Sequence, residues 1–147
     1  MANATMIKFG YPQTQVAETR SWSIQVRPQQ PALGSLVLVC REDVTAFSEI
    51  SAEAFADLQQ AVTGIERMLR NFTAYQRINY LMLMMVDPNV HFHVLPRYEG
   101  ARDFEGAVFA DAGWPGQPRL DQAVDLNEIR LSALTAKLRS LWQDENR

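Results

Sequence analysis

Asn89-Val90-His91-Phe92-His93-Val94-Leu95-Pro96-Arg97 decides how this chain folds. Polar and apolar residues alternate from Asn89 to Val94, which is the period of a β-strand, whose successive side chains leave from opposite faces. Asn89, His91 and His93 therefore share one face, and Val90, Phe92 and Val94 share the other. The apolar face is expected to pack and the polar face to be available for chemistry. These are the only two histidines in the chain. Imidazole is close to neutral at pH 7, so one ring nitrogen can act as nucleophile or base while a hydrogen bond holds the other. Two such rings side by side can divide nucleophile and acid roles. His-x-His on a strand is also a familiar pair of zinc or copper ligands. A metal site would need a third ligand, for which Asp87 and Asp111 are the candidates; neither a metal nor another cofactor is expected.

Before this stretch, Ile78 to Val86 reads as a further strand that stops at Asp87-Pro88, because proline cannot continue a ladder. Earlier still, Trp22-Ser23-Ile24-Gln25-Val26 alternates and meets Pro28, and Ser35 to Cys40 is a continuous Leu/Val run suited to burial on both faces. The loop between them carries Pro28, Pro31 and Gly34. After Ser51, a good helix N-cap, apolar residues recur three and four apart at Phe55, Leu58, Val62, Ile65, Leu69 and Phe72, which predicts one long amphipathic helix. Glu53, Asp57, Gln60, Glu66 and Arg67 form its polar face, expected to be solvated. Met82, Met84 and Met85 are expected in the sheet core.

Beyond the central stretch, residues 97 to 118 are rich in Gly, Pro, Asp and Arg and read mostly as loop, with Trp114 packing onto its own domain. Asp125-Leu126-Asn127-Glu128 resembles a capping box opening a C-terminal helix whose apolar stripe is Leu131, Leu134, Leu138 and Leu141. Strands, helix, strands, helix is the order of an α+β fold with a largely antiparallel sheet, one long central helix and a C-terminal helix. At 147 residues the chain fits one domain spanning 1–147, with a core at about 20–100 and a C-terminal loop and helix at 101–147.

Composition narrows the partners. The net charge of −3 and pI near 5.4 offer no basic field for polymeric nucleic acid or an anionic membrane. The longest apolar run, Tyr80 to Val86, is far short of the ~20 residues that span a bilayer. Cys40 is the single cysteine, so no intrachain disulfide forms. With no signal-peptide pattern at the N-terminus, the expected setting is cytoplasmic.

His91-Phe92-His93-Val94-Leu95-Pro96-Arg97 resembles the end of the histidine triad (HIT) signature, His-φ-His-φ-His-φ-φ with φ apolar. The order of elements over roughly residues 20 to 100 resembles the family too, most closely the bacterial HIT-domain proteins grouped with dinucleoside-polyphosphate hydrolases. The resemblance implies an antiparallel sheet with a long helix, a homodimer, and cleavage of a nucleotide or dinucleoside polyphosphate at its α-phosphate through a covalent nucleotidyl-histidine. His91 matches the middle histidine, the nucleophile, oriented by a hydrogen bond to the backbone carbonyl at the first position. His93 matches the last, which contacts phosphate and leaving group and is the expected proton donor. Asn89 stands where the first histidine belongs and is expected to donate to a phosphate oxygen. Gln25 and Arg27 fall near the ribose-contacting positions, and Arg97 is a candidate phosphate clamp. In place of the family's Gly-rich phosphate loop stands Met84-Met85-Val86-Asp87-Pro88, where Asp87 would repel an anionic substrate unless a cation meets it.

Overall fold

In the computed structural model, which describes residues 1–144, the chain begins with a short helix α1 (Ala4–Lys8) and strands β1 (Gln15–Glu18), β2 (Trp22–Val26), β3 (Gln29–Gln30) and β4 (Leu36–Cys40). The long helix α2 (Ala52–Thr73) follows. Then come β5 (Arg77–Leu81), β6 (His91–Arg97), the ribbon β7 (Arg102–Phe104) and β8 (Ala107–Phe109), β9 (Val124–Asp125), and α3 (Glu128–Gln143). Five strands make one antiparallel sheet in the order β1-β2-β4-β6-β5. β4 lies at its centre with every residue buried, as its unbroken apolar run requires.

The register sets which side chains share a face. Val37 pairs with Gln25 on one side and His93 on the other, while Val39 pairs with His91. The opposite face carries Trp22, Ile24, Leu36, Leu38 and Val94, and α2 and α3 cover it to make the main core. Ser51 caps α2, its side chain accepting from the Ala54 amide, and Ala74 ends the helix in the left-handed region. The buried residues of α2 are Ala54, Ala61, Gly64, Ile65, Met68 and Leu69. Phe55, expected inside, is instead 46% exposed and packs on Phe47 at 5.5 Å between ring centroids. Small side chains, invisible to a search for large apolar ones, shift the buried stripe round the helix.

The expected solvated face of α2 is partly committed. Asp57 accepts from Thr19 Oγ1 at 2.6 Å and the Ser21 amide at 2.8 Å. Arg67 donates to the Leu141 and Trp142 carbonyls at 3.2 and 3.1 Å, a cation satisfying the last turn of α3. The cap of α3 is Asn127, accepting from the Arg130 amide at 2.8 Å, two residues beyond the expected Asp125, which is held in β9 opposite Gln29.

Three other features differ from expectation. β5 ends at Leu81, and the residues after it turn through Met84 at φ 53° instead of extending to Val86. Met82 and Met84 pack against the core, but Met85 is 84% exposed. Residues 102–109, read as loop, form a hairpin in which Arg102 pairs with Phe109. Finally, the sheet face that carries the histidines is covered: Met6 and Phe9 of the N-terminal segment pack on Val37 and Val39. Among the described residues no helix is long and apolar enough to cross a membrane.

Candidate active site

β6 opens at His91, and the residue two before it supplies the first fixed contact. His91 Nδ1 lies 2.7 Å from the Asn89 carbonyl oxygen. A carbonyl can only accept, so Nδ1 carries the proton and the lone pair sits on Nε2. His93, one pleat on, has its Nδ1 at 3.4 Å from Arg27 Nε. An Arg N–H can only donate, so here Nδ1 is the acceptor and the proton sits on Nε2. The two rings, 5.2 Å apart and nearly perpendicular, therefore present complementary atoms: a nucleophilic nitrogen on His91 and a donor on His93.

Both rings are enclosed, His91 being 2% and His93 8% exposed. Phe9, at the end of α1, walls them off with ring centroids 6.2 and 6.0 Å away. Burial, then the Arg27 guanidinium and the His91 ring, push the His93 imidazole down to about 4, with Asp87 opposing them. His93 is thus neutral at physiological pH. Asp87 has found its cation: Lys8 Nζ lies 2.8 Å from its Oδ1. With this pair cancelled, Arg27 leaves the site one net positive charge, which suits an anion.

These groups open onto a cleft of about 280 Å³ lined by Lys8, Arg27, Gln29, Asp87, His91 and His93 on its polar side, with Phe9 as its wall. Leu83, Met84, Met85, Val86 and Leu120 form its apolar side. Cations beside an apolar wall accommodate a phosphate attached to a flat or apolar group.

Arg27 is the one further candidate that joins the histidines in the cleft. Asn89 stands behind His91, only 1% exposed, with its side chain turned away: its Oδ1 accepts from the Thr5 amide and hydroxyl at 3.1 and 3.0 Å, and its Nδ2 donates to Asp43 at 2.9 Å. Instead of meeting phosphate it ties α1 to the sheet. Gln25 is fully buried, its Nε2 donating to the Met6 and Phe9 carbonyls at 3.0 and 3.3 Å. That secures the wall of the cleft and leaves no group for a ribose.

Arg97 lies four residues along β6, about 13 Å beyond His93. Its guanidinium donates to Asp111 at 2.6 and 3.1 Å, to Asn79 Oδ1 at 2.7 Å and to the Gly116 carbonyl at 2.9 Å. It staples the 111–116 turn to the sheet beside a separate groove lined by Trp114 and β5. Among the described residues no group of three or more His, Cys, Asp and Glu side chains is placed to hold a metal ion.

Lys8, Phe9, Gln29, Leu83 and Leu120 are the cleft residues that the motif reading does not single out. For the first two a local signal exists. Asn3 caps α1 by accepting from the Met6 amide at 3.0 Å, and Met6 and Phe9 are spaced three apart on its buried side.

No protein-family model matches the chain, and no curated protein sequence matches it. Solved structures do. A hypothetical histidine triad nucleotide-binding protein from Sulfolobus tokodaii aligns with a TM-score of 0.70 at 15% identity, over 97% of this chain and 92% of its own. A histidine triad protein from Marinobacter aquaeolei gives 0.68 at 18% identity, over 97% and 96%. The fold is that of the histidine triad proteins. The diadenosine triphosphate hydrolase of Plasmodium falciparum, solved with cyclomarin A, shares the histidine triad fold at a TM-score of 0.67 and 9% identity, over 92% of this chain and 80% of its own. At such identities the common property is the fold, and the chemistry of this site rests on its own residues: two histidines on β6, asparagine two residues before the first of them, and arginine after β2.

Proposed function

We propose that this chain is a nucleotide hydrolase or nucleotidyl transferase that attacks the α-phosphate of a nucleotide or dinucleoside polyphosphate with His91. The observation that carries this reading is the 2.7 Å bond between His91 Nδ1 and the Asn89 carbonyl. It leaves Nε2 as the free nucleophile and survives the change of side chain at residue 89. Nε2 forms a bond to phosphorus as the bond to the leaving oxygen breaks, the leaving group taking the electron pair. Water or another acceptor then attacks phosphorus, the N–P bond returns its pair to Nε2, and the acceptor's proton passes to solvent. Arg27 neutralises phosphate charge, and His93 Nε2–H hydrogen-bonds the phosphate and the departing oxygen. No step calls on a cofactor.

The test is turnover of adenosine polyphosphates and adenosine phosphoramidates by the purified protein beside His91→Ala. The native protein is expected to turn over and the variant to lose at least about 10²-fold in kcat; equal turnover would sink the assignment.

A second reading, a nucleotide-binding module with weakened catalysis, is favoured by one observation: the turn after β5 offers no Gly, Ser or Thr to a phosphate, Met84 taking the left-handed conformation there. Rapid quench and mass spectrometry separate the two, since nucleotide bound to His91 excludes the second. A homodimer belongs to the same proposal. Its support is β5, an edge strand unpaired on its outer side among the described residues, and sedimentation equilibrium tests it. A cytoplasmic setting is also part of the proposal and rests on buried Cys40 as the only cysteine.

A further inference from the structure

Arg27 leaves β2 directly into the cleft and is anchored on two sides. Its amide donates to the Ser35 carbonyl at 3.0 Å, and its Nη1 donates to the Gln29 carbonyl at 2.7 Å. Nε is thereby aimed at His93 Nδ1. The charged or titratable groups around His93 come from four places. Arg27 follows β2, His91 shares β6, Asp87 lies in the turn before β6, and Lys8 ends α1. Asp87 alone would favour a proton on His93, and it is held by Lys8 at 2.8 Å. Burial is the first cause that disfavours that proton, and Arg27 and then His91 add to it.

We propose, building on the nucleotidyl-transfer reading above, that Arg27 is a positioning residue that sets leaving-group choice: its Nε–H locks His93 as the neutral Nε2–H tautomer, so the site expels groups that depart as stable anions. The argument is one of proton supply. When His91 Nε2 bonds to phosphorus, the P–X bond breaks and X takes the electron pair. If X is a phosphate oxygen, as in a phosphoanhydride, the departing chain is already a weak base and needs only a hydrogen bond, which His93 Nε2–H gives. If X is an amine nitrogen, as in a phosphoramidate, it must acquire a proton as it leaves. A neutral imidazole is a poor acid, since yielding the Nε2 proton would leave an imidazolate. The proton must then come from water, and the reaction slows. The substrate class assigned is therefore the phosphoanhydrides, with phosphoramidates disfavoured.

Two measurements test this. The first needs no turnover: NMR titration of the two histidine rings in ¹⁵N-labelled free protein, assigned with His91→Gln. Native His93 is expected as the Nε2–H tautomer, titrating well below the ordinary histidine range. Arg27→Gln should raise its apparent pKa by about one unit and mix its tautomers, while Arg27→Lys keeps the low value and mixes the tautomers only. An unchanged His93 titration and tautomer in folded Arg27→Gln would overturn the lock.

The second is the ratio of kcat/KM for an adenosine phosphoanhydride over an adenosine phosphoramidate. It should favour the anhydride at least about tenfold in the native protein at pH 7, and at pH 6 it should be about tenfold lower in Arg27→Gln than in the native protein, because one unit raises the small imidazolium fraction there about tenfold. An equal effect of Arg27→Gln on both substrates would overturn leaving-group selection. Absence of all turnover in folded native protein would overturn the functional reading with its leaving-group rule, while the titration still decides the Arg27–His93 lock.

Discussion

Arg97→Met distinguishes a structural clamp from a phosphate clamp. The side chains of Arg97 and Asp111 are 5% and 2% exposed, so their bidentate pair is out of water. Removing the guanidinium leaves the Asp111 carboxylate with the Tyr98 amide at 3.2 Å, and also strips partners from Asn79 Oδ1 and the Gly116 carbonyl. Breaking one side of a buried ion pair costs roughly 3–5 kcal/mol, chiefly through the charge left behind. We expect about 4 kcal/mol here, a large share of the ~5–15 kcal/mol that holds an ordinary domain together. Urea melting is the assay: with a slope of about 2 kcal/mol/M, the midpoint should fall by roughly 2 M. Adding Asp111→Asn to Arg97→Met removes the orphaned charge and should recover more than half of the loss. Turnover per folded molecule should be unchanged, because Arg97 lies about 13 Å along the strand from His93. A normal midpoint with lost nucleotide affinity would refute this account and restore Arg97 to the substrate.

Asn89→Ala should lower Tm by roughly 4–8 °C, about 2 kcal/mol for the lost buried hydrogen bonds, and leave the His91 Nδ1–H tautomer intact by NMR. Gly64→Ala places a methyl against the Trp142 ring, closer than van der Waals contact allows; overpacking of roughly 1–3 kcal/mol exceeds the ~1 kcal/mol gained in helix propensity. The variant should be less stable by calorimetry, whereas in a Trp142→Ala background the same change should stabilise. His93, held at about 4 against an ordinary 6.5, makes the fold acid-sensitive. Between these values the unfolded chain binds a proton that the folded chain refuses, so stability falls as pH drops from 6.5 through 4, by at most about 3 kcal/mol. His93→Gln should flatten that part of a urea-midpoint profile against pH; an unchanged slope would show that another group is responsible.

What the sequence reveals and what it hides follow from the range of the interactions. Period-two alternation puts His91 and His93 on one face because a strand's geometry is local, and the unbroken run through Leu36–Cys40 marks the sheet's centre for the same reason. Polarity alone says nothing about what covers a face. Asn89, His91 and His93 read as an open polar surface, yet Phe9 encloses the rings and Asn89 holds the helix that carries it, a contact between residues 84 apart in the chain. Arg97 and Arg27 look alike as candidates by residue type. Register separates them: Val37 brings β2's end to His93, and Arg27 follows, while Arg97 pairs with Arg77 at the far end of β5.

Under the proposed function, the same local geometry accounts for two departures from the triad pattern. Orientation of His91 comes from a backbone carbonyl, which any residue at position 89 supplies, and the cation comes from the loop after β2, so neither depends on the side chains of the turn before β6. That turn is then free to be apolar, with Lys8 cancelling its one carboxylate. Leu83 and Met85, both exposed, line the apolar side of the cleft across from His91 and Arg27, so under the proposed function they would contact whatever the phosphate carries while His91 and Arg27 would meet the phosphate.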